Sequence, residues 1–235
     1  MRRIVVLLAL AVLPVVASAC TGADAQKAED LLAQSRTAAQ SVHSESFTMK
    51  VNVDAPGQSA NVGAQGGMIL EGADAGDFYA TMTTAMPGAA PVDVVMVRRG
   101  GSLQLRMNGV TRTVPVPTGM QSSAAGAAGF DVNAITPYVK DVSVSTADVA
   151  GRTEDEVVGT LDGDALLKSL PGVPAGLLST VGASLGDIKV RLFIPRDSHL
   201  VETALLDMTA HVENQTMHMS MSYAVTSVNK PLTFP

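Results

Sequence analysis

The sequence predicts an α+β fold in which a curved antiparallel β-sheet carries helices on one face. Three observations predict it: an amphipathic helical segment near the N-terminus, a series of segments with apolar residues at every second position, and turn-forming residues between these segments. The order of helix, strands, short helices and strands is typical of this class. The sequence contains no internal repeat at a fixed period.

The first twenty residues have the pattern of an export signal. Arg2 and Arg3 precede an apolar run from Ile4 to Val16, and small residues follow directly before Cys20. This run of roughly a dozen residues is shorter than the about 20 that a transmembrane helix needs. We predict a signal peptide at residues 1–19, a lipidated tether at residues 20–25 and a single lipoprotein domain at residues 26–235.

Cys20 is the single cysteine of the chain. Its surroundings allow two readings, because the small-small-Cys order resembles a bacterial lipobox while Ala17 and Ala19 also satisfy an ordinary signal peptidase. A lipobox more often has leucine where Ala17 stands. Because a lone thiol has no disulfide partner in an oxidising compartment, we interpret Cys20 as the site of lipid attachment. The sequence then predicts a protein anchored by lipid to the extracytoplasmic side of the cell membrane.

Charge and composition narrow the function. Removal of the signal peptide lowers the basic count from 16 to 14 and leaves the 22 acidic residues, so the mature net charge is −8. Nucleic acid is not expected as a partner, since its recognition starts from a basic surface. No polybasic run is present that would hold the protein on anionic lipid by charge alone.

The apolar residues are aliphatic rather than aromatic. The chain has no Trp, three Tyr and five Phe, but twelve Met. Methionine is flexible and recurs on surfaces that accept variable apolar ligands. The composition therefore leaves two interpretations open, a closed aliphatic core and an internal apolar cavity.

The predicted elements follow the change of period along the chain. Residues Ala25 to Val42 have small and apolar residues at three- and four-residue spacing, which predicts an amphipathic helix that covers a broad, shallow surface. Strands are predicted at about Phe47–Asp54, Asn61–Glu71, Gly76–Met86, Val92–Arg98, Ser102–Asn108, Thr111–Val116, Val142–Val144, Asp155–Leu161, Asp187–Pro195, Leu200–Val212 and Thr216–Val225.

Turns and short helices complete this prediction. Asn108-Gly109 between two alternating segments is among the strongest hairpin signals. Short helices are predicted at Asp131–Tyr138, Gly163–Leu170 and Ala175–Val181. The small-residue stretch from Thr118 to Gly129 is predicted as a loop, and loops of this length tend to be lids or entrances.

One sequence motif suggests catalysis but lacks the required context. Gly182-Ala183-Ser184-Leu185-Gly186 matches the G-x-S-x-G nucleophile elbow of α/β-hydrolases, which needs a strand before the motif and a helix after it. The sequence predicts a helix before the motif and a strand after it. We therefore interpret residues 182–186 as a turn and expect the protein not to be an enzyme, with an esterase using Ser184 as the least favoured hypothesis.

No metal or cofactor site is expected. His43, His199, His211 and His218 do not have a metal-binding spacing, although His211 and His218 could pair across the last hairpin. The acidic cluster Glu154-Asp155-Glu156 lacks the ligand order of a calcium loop and is interpreted as a solvated turn.

Several segments together resemble a known family. They are Cys20, the helix leading into Val42-His43-Ser44-Glu45-Ser46-Phe47, the segment Val149 to Leu161, the segment Phe193-Ile194-Pro195-Arg196-Asp197, and Val228-Asn229-Lys230-Pro231. In this order the chain resembles the actinobacterial lipoproteins of the LppX and LprG type. The resemblance implies a half-barrel related to LolA and LolB, with the N-terminal helix and short helices covering the concave face.

The resemblance also implies a function. Members of that family hold acylated lipids in an apolar cavity, so we expect an acylated lipid or lipoglycan as partner, carried or presented across the cell envelope without catalysis. An envelope transporter is a further partner of this kind of carrier. One sheet face and the opposite helix residues are predicted to line the cavity: Leu31, Leu32, Met49, Val51, Met68, Leu70, Met82, Val94, Met96, Leu105, Leu192, Met219 and Met221.

A second function class stays open. A surface lipoprotein with a closed core could act as a sensor or as a protein-interaction module. This alternative predicts no internal cavity above a few waters and an exposed apolar patch on one edge of the domain.

Overall fold

The computed structural model of the chain describes residues 22–115, 132–133, 135–163, 183–212 and 215–235. Cys20, the predicted signal peptide, the predicted loop Thr118–Gly129 and the predicted helix Ala175–Val181 lie outside the described residues. So does all but the first residue of the predicted helix Gly163–Leu170.

The described chain forms one α-helix and a sheet of twelve strands. Their bounds are α1 Gly22–Ala39, β1 Ser44–Ala55, β2 Gln58–Ile69, β3 Phe78–Ala85, β4 Val92–Arg99, β5 Ser102–Met107, β6 Val110–Pro115, β7 Val139–Val149, β8 Arg152–Asp162, β9 Ala183–Leu185, β10 Asp187–Pro195, β11 Thr203–Val212 and β12 Gln215–Val228. A single 3-10 turn, Thr136–Tyr138, leads into β7. No helix among these residues is both long and apolar enough to cross a membrane.

The sheet is antiparallel and open. Its strand order is β6-β5-β4-β3-β2-β1-β12-β11-β10-β8-β7, and the short β9 pairs beside it with β11. The first and the last strand of the described chain, β1 and β12, are hydrogen-bonded to each other in the middle of the sheet. The two edge strands of the sheet, β6 and β7, do not pair with each other in the described part of the chain. The predicted α+β half-barrel fold is therefore confirmed.

Turn chemistry explains the hairpin between β5 and β6. Asn108 and Gly109 both have positive φ angles, 50° and 78°. This backbone conformation belongs to the type I′ turn, whose twist matches that of the two strands, and Asn-Gly is its preferred sequence. The predicted hairpin is present at this dipeptide.

The two faces of the sheet differ in polarity. We call the face that carries Phe47, Met68 and Tyr223 the inner face. Helix α1 packs against it, because Ala28 and Leu32 belong to the same buried cluster as these three side chains. On the opposite, outer face, neighbouring strands present mainly hydroxyl, amide and charged groups, such as the row Asn52, Asn61 and Ser220. The period of two in the sequence thus reflects one buried and one solvated face.

The C-terminal residues lie across the outer face of β2 to β4. The Leu232 side chain occupies the space above Gly67, where a Cβ atom would come within 2.8 Å of its Cδ2 atom. The ring of Phe234 packs edge-on against Tyr79 at 5.6 Å between centroids, and the Arg99 guanidinium lies 4.9 Å from the centre of the same ring. The chain end is thus part of the packed fold.

Helix α1 has different bounds from the predicted ones. It begins at Gly22 rather than Ala25, so residues of the predicted tether are already helical, and Asp24 lies in the first turn, where a carboxylate favours the helix dipole. It ends at Ala39 rather than Val42, because the last amides, up to that of Val42, bond to carbonyls three residues back.

Three further predictions are corrected. The predicted helix Asp131–Tyr138 is, in its described residues, only the 3-10 turn Thr136–Tyr138. Ala183–Leu185 is not a turn but strand β9, since the sheet edge at β11 offers it backbone partners. Glu154, Asp155 and Glu156 are not a solvated turn: they lie in β8 and are buried, where arginines of β8, of β10 and of the turn after β10 pair with them.

Candidate functional site

The sheet register brings the predicted cavity residues onto one face. Directly paired residues of antiparallel strands point to the same side of the sheet. Met49 pairs with Ala64, Ala64 pairs with Met82, and Met82 pairs with Val94. On the other side of β1, Val51 pairs with Met221 and Val53 pairs with Met219. These side chains therefore form continuous rows across the inner face.

The predicted residues divide into a closed part and an open part. Leu31, Leu32, Met68 and Leu192 are buried in the main core. The others are only half-buried: Met49, Val51, Leu70, Met82, Val94, Met96, Leu105, Met219 and Met221. The core is thus closed where α1 packs, and an apolar surface continues beyond it along β1 to β5 and β12. We call this half-buried part of the inner face the trough.

Methionine distribution is the clearest property of this face. Every methionine in a described strand lies on the inner face: Met49, Met68, Met82, Met96, Met107, Met208, Met217, Met219 and Met221. None of these strands places a methionine on the outer face. The sequence analysis named six of them and missed Met107, Met208 and Met217. The alternation with Met219 and Met221 already indicated Met217.

The trough continues into an open pocket at the end of the sheet where the β1–β2 turn lies. The pocket has a volume of about 410 Å³, and Val53, Ala60, Met86, Pro87 and Met217 contribute to its wall. Residues with small side chains, such as Ala60 and Ala64, lie along β2 on the inner face and leave space above the sheet. The trough is therefore open at this end.

An aromatic pair lies at the closed end of the trough. The rings of Phe47 and Tyr223 stack at 5.3 Å between centroids with 18° between their planes. Gly66 makes room for this pair, because a Cβ atom there would come within 2.9 Å of Phe47 Cζ and 2.2 Å of the Tyr79 carbonyl oxygen. The rings close the trough towards the core.

Buried polar groups also lie on the inner face, and the sequence analysis did not identify them. Glu45 and Arg98 are each 2% exposed. Glu45 stands opposite Met68, and Arg98 stands opposite Phe78, so both belong to the inner-face row of these apolar residues. The sequence could have identified Glu45, because it lies two residues before Phe47 in the same strand and therefore points to the same face of the sheet.

A second charged cluster lies along β8. Arg196 donates two hydrogen bonds to Asp155, and Arg191 donates one to Glu156 at 2.6 Å. Arg152 lies 2.9 Å from a carboxylate oxygen of Glu154. The Glu154 carboxylate is 1% exposed, and burial raises its pKa above the ordinary value despite Arg152. The pairs of Asp155 with Arg196 and of Glu156 with Arg191 join β8 to β10 and to the turn that follows β10.

The histidines and Ser184 occupy ordinary strand positions. His211 lies opposite Thr216 and His218 opposite Thr209, each with its ring nitrogen within hydrogen-bond distance of that hydroxyl. The two histidines therefore do not stand opposite each other across the last hairpin. Ser184 lies in β9, opposite His211 on β11, so its motif does not have the strand, turn and helix order of a nucleophile elbow.

Comparison with solved structures identifies the fold. The chain is similar to LprF from Mycobacterium bovis at 13% sequence identity, with 89% of this chain and 96% of that chain covered and a TM-score of 0.53. It is also similar to the lipoprotein LppX from Mycobacterium tuberculosis at 14% identity, with coverage of 89% and 99% and a TM-score of 0.49. No protein-family model and no curated protein matches the chain. The similarity to LprF confirms the fold that the LppX and LprG resemblance implied.

Proposed function

We propose that this protein binds the acyl chains of a lipid or lipoglycan in the trough and carries or presents that lipid across the cell envelope. In this proposal a lipid on Cys20 holds the protein at the membrane, on the extracytoplasmic side. The protein itself performs no reaction on the lipid.

One observation carries the proposal: the strands direct all their described methionines to the inner face, and all of these except Met68 remain partly exposed. A closed core has no need to leave Met82, Met219 and Met221 partly exposed. Methionine adapts its shape to apolar ligands of variable length at low cost. The face is therefore suited to alkyl chains rather than to a rigid polar ligand.

The dimensions of the trough suit an acyl chain. From Tyr223 to Met217 the strand β12 runs six residues, which is about 20 Å at about 3.3 Å per residue. One leaflet of a bilayer has a hydrocarbon layer of about 15 Å, half of the about 30 Å core. Each buried methylene contributes about 0.8 kcal/mol, so affinity would come from the length of the acyl chain, and selection of the headgroup from polar residues at the edge of the trough.

The decisive measurement is native mass spectrometry of the Cys20→Ser chain purified from the envelope of a related bacterium. We expect a stoichiometric bound species of lipid mass, which organic extraction then identifies. A bare polypeptide mass after mild purification would contradict the carrier function.

One observation favours the alternative of a protein-interaction module. Met107, Val110 and Val114 are exposed at the β5–β6 edge of the sheet, which is the kind of patch that this alternative predicts. The same mass spectra separate the two functions. A bound polypeptide in place of a lipid would support the interaction module.

A further inference from the structure

We propose that one end of the sheet, formed by the β5–β6 turn and the β3–β4 loop, contacts the surface of an anionic bilayer. We call Met86, Met107 and Val110 at this end the apolar rim. The inference goes beyond the proposed function, since it concerns how the protein touches a membrane and not what the trough holds.

The three rim side chains are unusually exposed for their type. Met86 is 51% exposed, Met107 50% and Val110 59%. Met107 and Val110 face each other across the Asn108-Gly109 turn and point to the inner side of the sheet. A tight turn thus presents two apolar side chains together to solvent.

Topology places these residues at the same end of the sheet. Strands β3 and β5 run in the same direction, because each is antiparallel to β4, so the loop after β3 and the turn after β5 lie at one end. Met86 also lines the 410 Å³ pocket into which the trough opens. The apolar rim therefore lies at the same end of the sheet as the opening of the trough, and Met86 belongs to both.

Charge complementarity indicates an anionic surface as the occupant. The chain as a whole is acidic, yet residues 94–130 contain four arginines and no Asp or Glu. Two of them flank the rim and are exposed: Arg106 on the outer face, and Arg112 on the inner face opposite Leu105. Asp93, at the start of β4, lies on the outer face, where its carboxylate accepts a hydrogen bond from Thr83.

Exposed apolar side chains flanked by arginines are typical of surfaces that bind at the membrane interface. Apolar side chains gain free energy in the acyl boundary, while the arginines extend their charged ends to the phosphate groups. Each basic residue near an anionic surface changes partitioning by about fivefold. A lipid leaving such a surface would enter the trough at its open end without crossing water.

Single-tryptophan fluorescence tests the contact, because the chain has no tryptophan of its own. The Cys20→Ser chain carrying Met107→Trp is mixed with phosphatidylglycerol vesicles and separately with phosphatidylcholine vesicles. Val158→Trp is the matched control, since Val158 is also partly exposed, at 37%, but lies on the outer face of β8. We expect a blue shift of emission for Met107→Trp with phosphatidylglycerol and none for the control.

Variants then separate the contributions. Arg106→Gln and Arg112→Gln should each lower partitioning to phosphatidylglycerol vesicles by about fivefold. Met107→Glu should abolish it, whereas Val158→Glu, with the same change of charge, should leave it unchanged; thermal unfolding of each variant verifies the fold. Vesicle binding that survives Met107→Glu would overturn the proposal.

Two further results bear on the proposal: one would overturn the membrane contact, and the other would separate it from the carrier function. If the rim instead binds a second copy of the chain, sedimentation velocity shows a dimer that Met107→Glu dissociates and no vesicle binding appears, which overturns the membrane contact. Vesicle binding by a chain that extracts without lipid supports the rim and rejects only the carrier function.

Discussion

Tyr223 donates its hydroxyl proton to Oε1 of Glu45 over 2.6 Å, and neither side chain reaches solvent. The two residues lie on β12 and β1, the last and the first strand of the described sheet. A carboxylate buried in an apolar row needs such donors, because an unsatisfied buried charge is very costly. The bond therefore links the two chain ends where they meet.

Removal of this hydroxyl should be costly. We expect Tyr223→Phe to lower the free energy of unfolding by about 1.5–3 kcal/mol, the range for a hydrogen bond to a charged group. Urea unfolding followed by circular dichroism measures the change. Tyr138→Phe makes the same change at an exposed tyrosine and should have little effect. Equal stability of the two variants would show that Glu45 does not depend on Tyr223.

Gly66 and Gly63 offer a matched pair on β2. Gly66→Ala places a methyl group against the Tyr79 carbonyl and the Phe47 ring, so we expect a loss of about 1–3 kcal/mol in unfolding free energy. A Cβ atom at Gly63 would meet no other atom within 4 Å, and Gly63→Ala should be neutral or slightly stabilising. Thermal unfolding of the two variants under the same conditions compares them directly.

The buried carboxylate of Glu154 should weaken the fold as pH rises. Because burial raises its pKa in the folded protein, its contribution to stability is fully present below the ordinary glutamate pKa and is lost as pH rises through the folded value. Glu154→Gln cannot titrate, so its stability relative to the parent chain should increase from about pH 4 towards neutrality. Urea midpoints measured across this range test the sign, with exposed Glu29→Gln as the control.

A charge in the trough should exclude acyl chains. Val51→Glu adds a carboxylate on the half-buried inner face, whereas Asn52→Glu adds the same charge on the exposed outer face. We expect extracts of the Val51→Glu protein to lose the bound lipid and those of Asn52→Glu to keep it. If Val51→Glu retains lipid and a normal unfolding curve, the trough is not the lipid site.

Most strand spans and the two sheet faces could be predicted from the sequence. Alternation predicted the strand Asp187–Pro195 at its observed bounds, and Asn108-Gly109 placed a hairpin correctly. The placement of Met219 and Met221 on one common face followed from parity alone. Local patterns of this kind survive because each depends on neighbouring residues of the chain.

The features that the sequence did not predict depend on residues that are far apart in the chain. Nothing near Ser44 indicates that β1 pairs with β12 rather than with another strand. The burial of Glu154, Asp155 and Glu156 follows from arginines of β8, β10 and the turn after β10, which a local reading cannot place. Likewise, β9 forms because β11 offers it an edge.

The pairing of β1 with β12 has a consequence for how the chain folds. A chain that emerges N-terminus first exposes β1 with only one neighbour, β2, until β12 has followed. Pairing strands so far apart in sequence is intrinsically slow, and unpaired edges are prone to aggregation meanwhile. In the final steps Asn229 forms its hydrogen bonds with Ser41 and His43, and Phe234 packs against Tyr79 on the outer face. The sheet therefore lacks the β1–β12 pairing until the last residues of the chain are available.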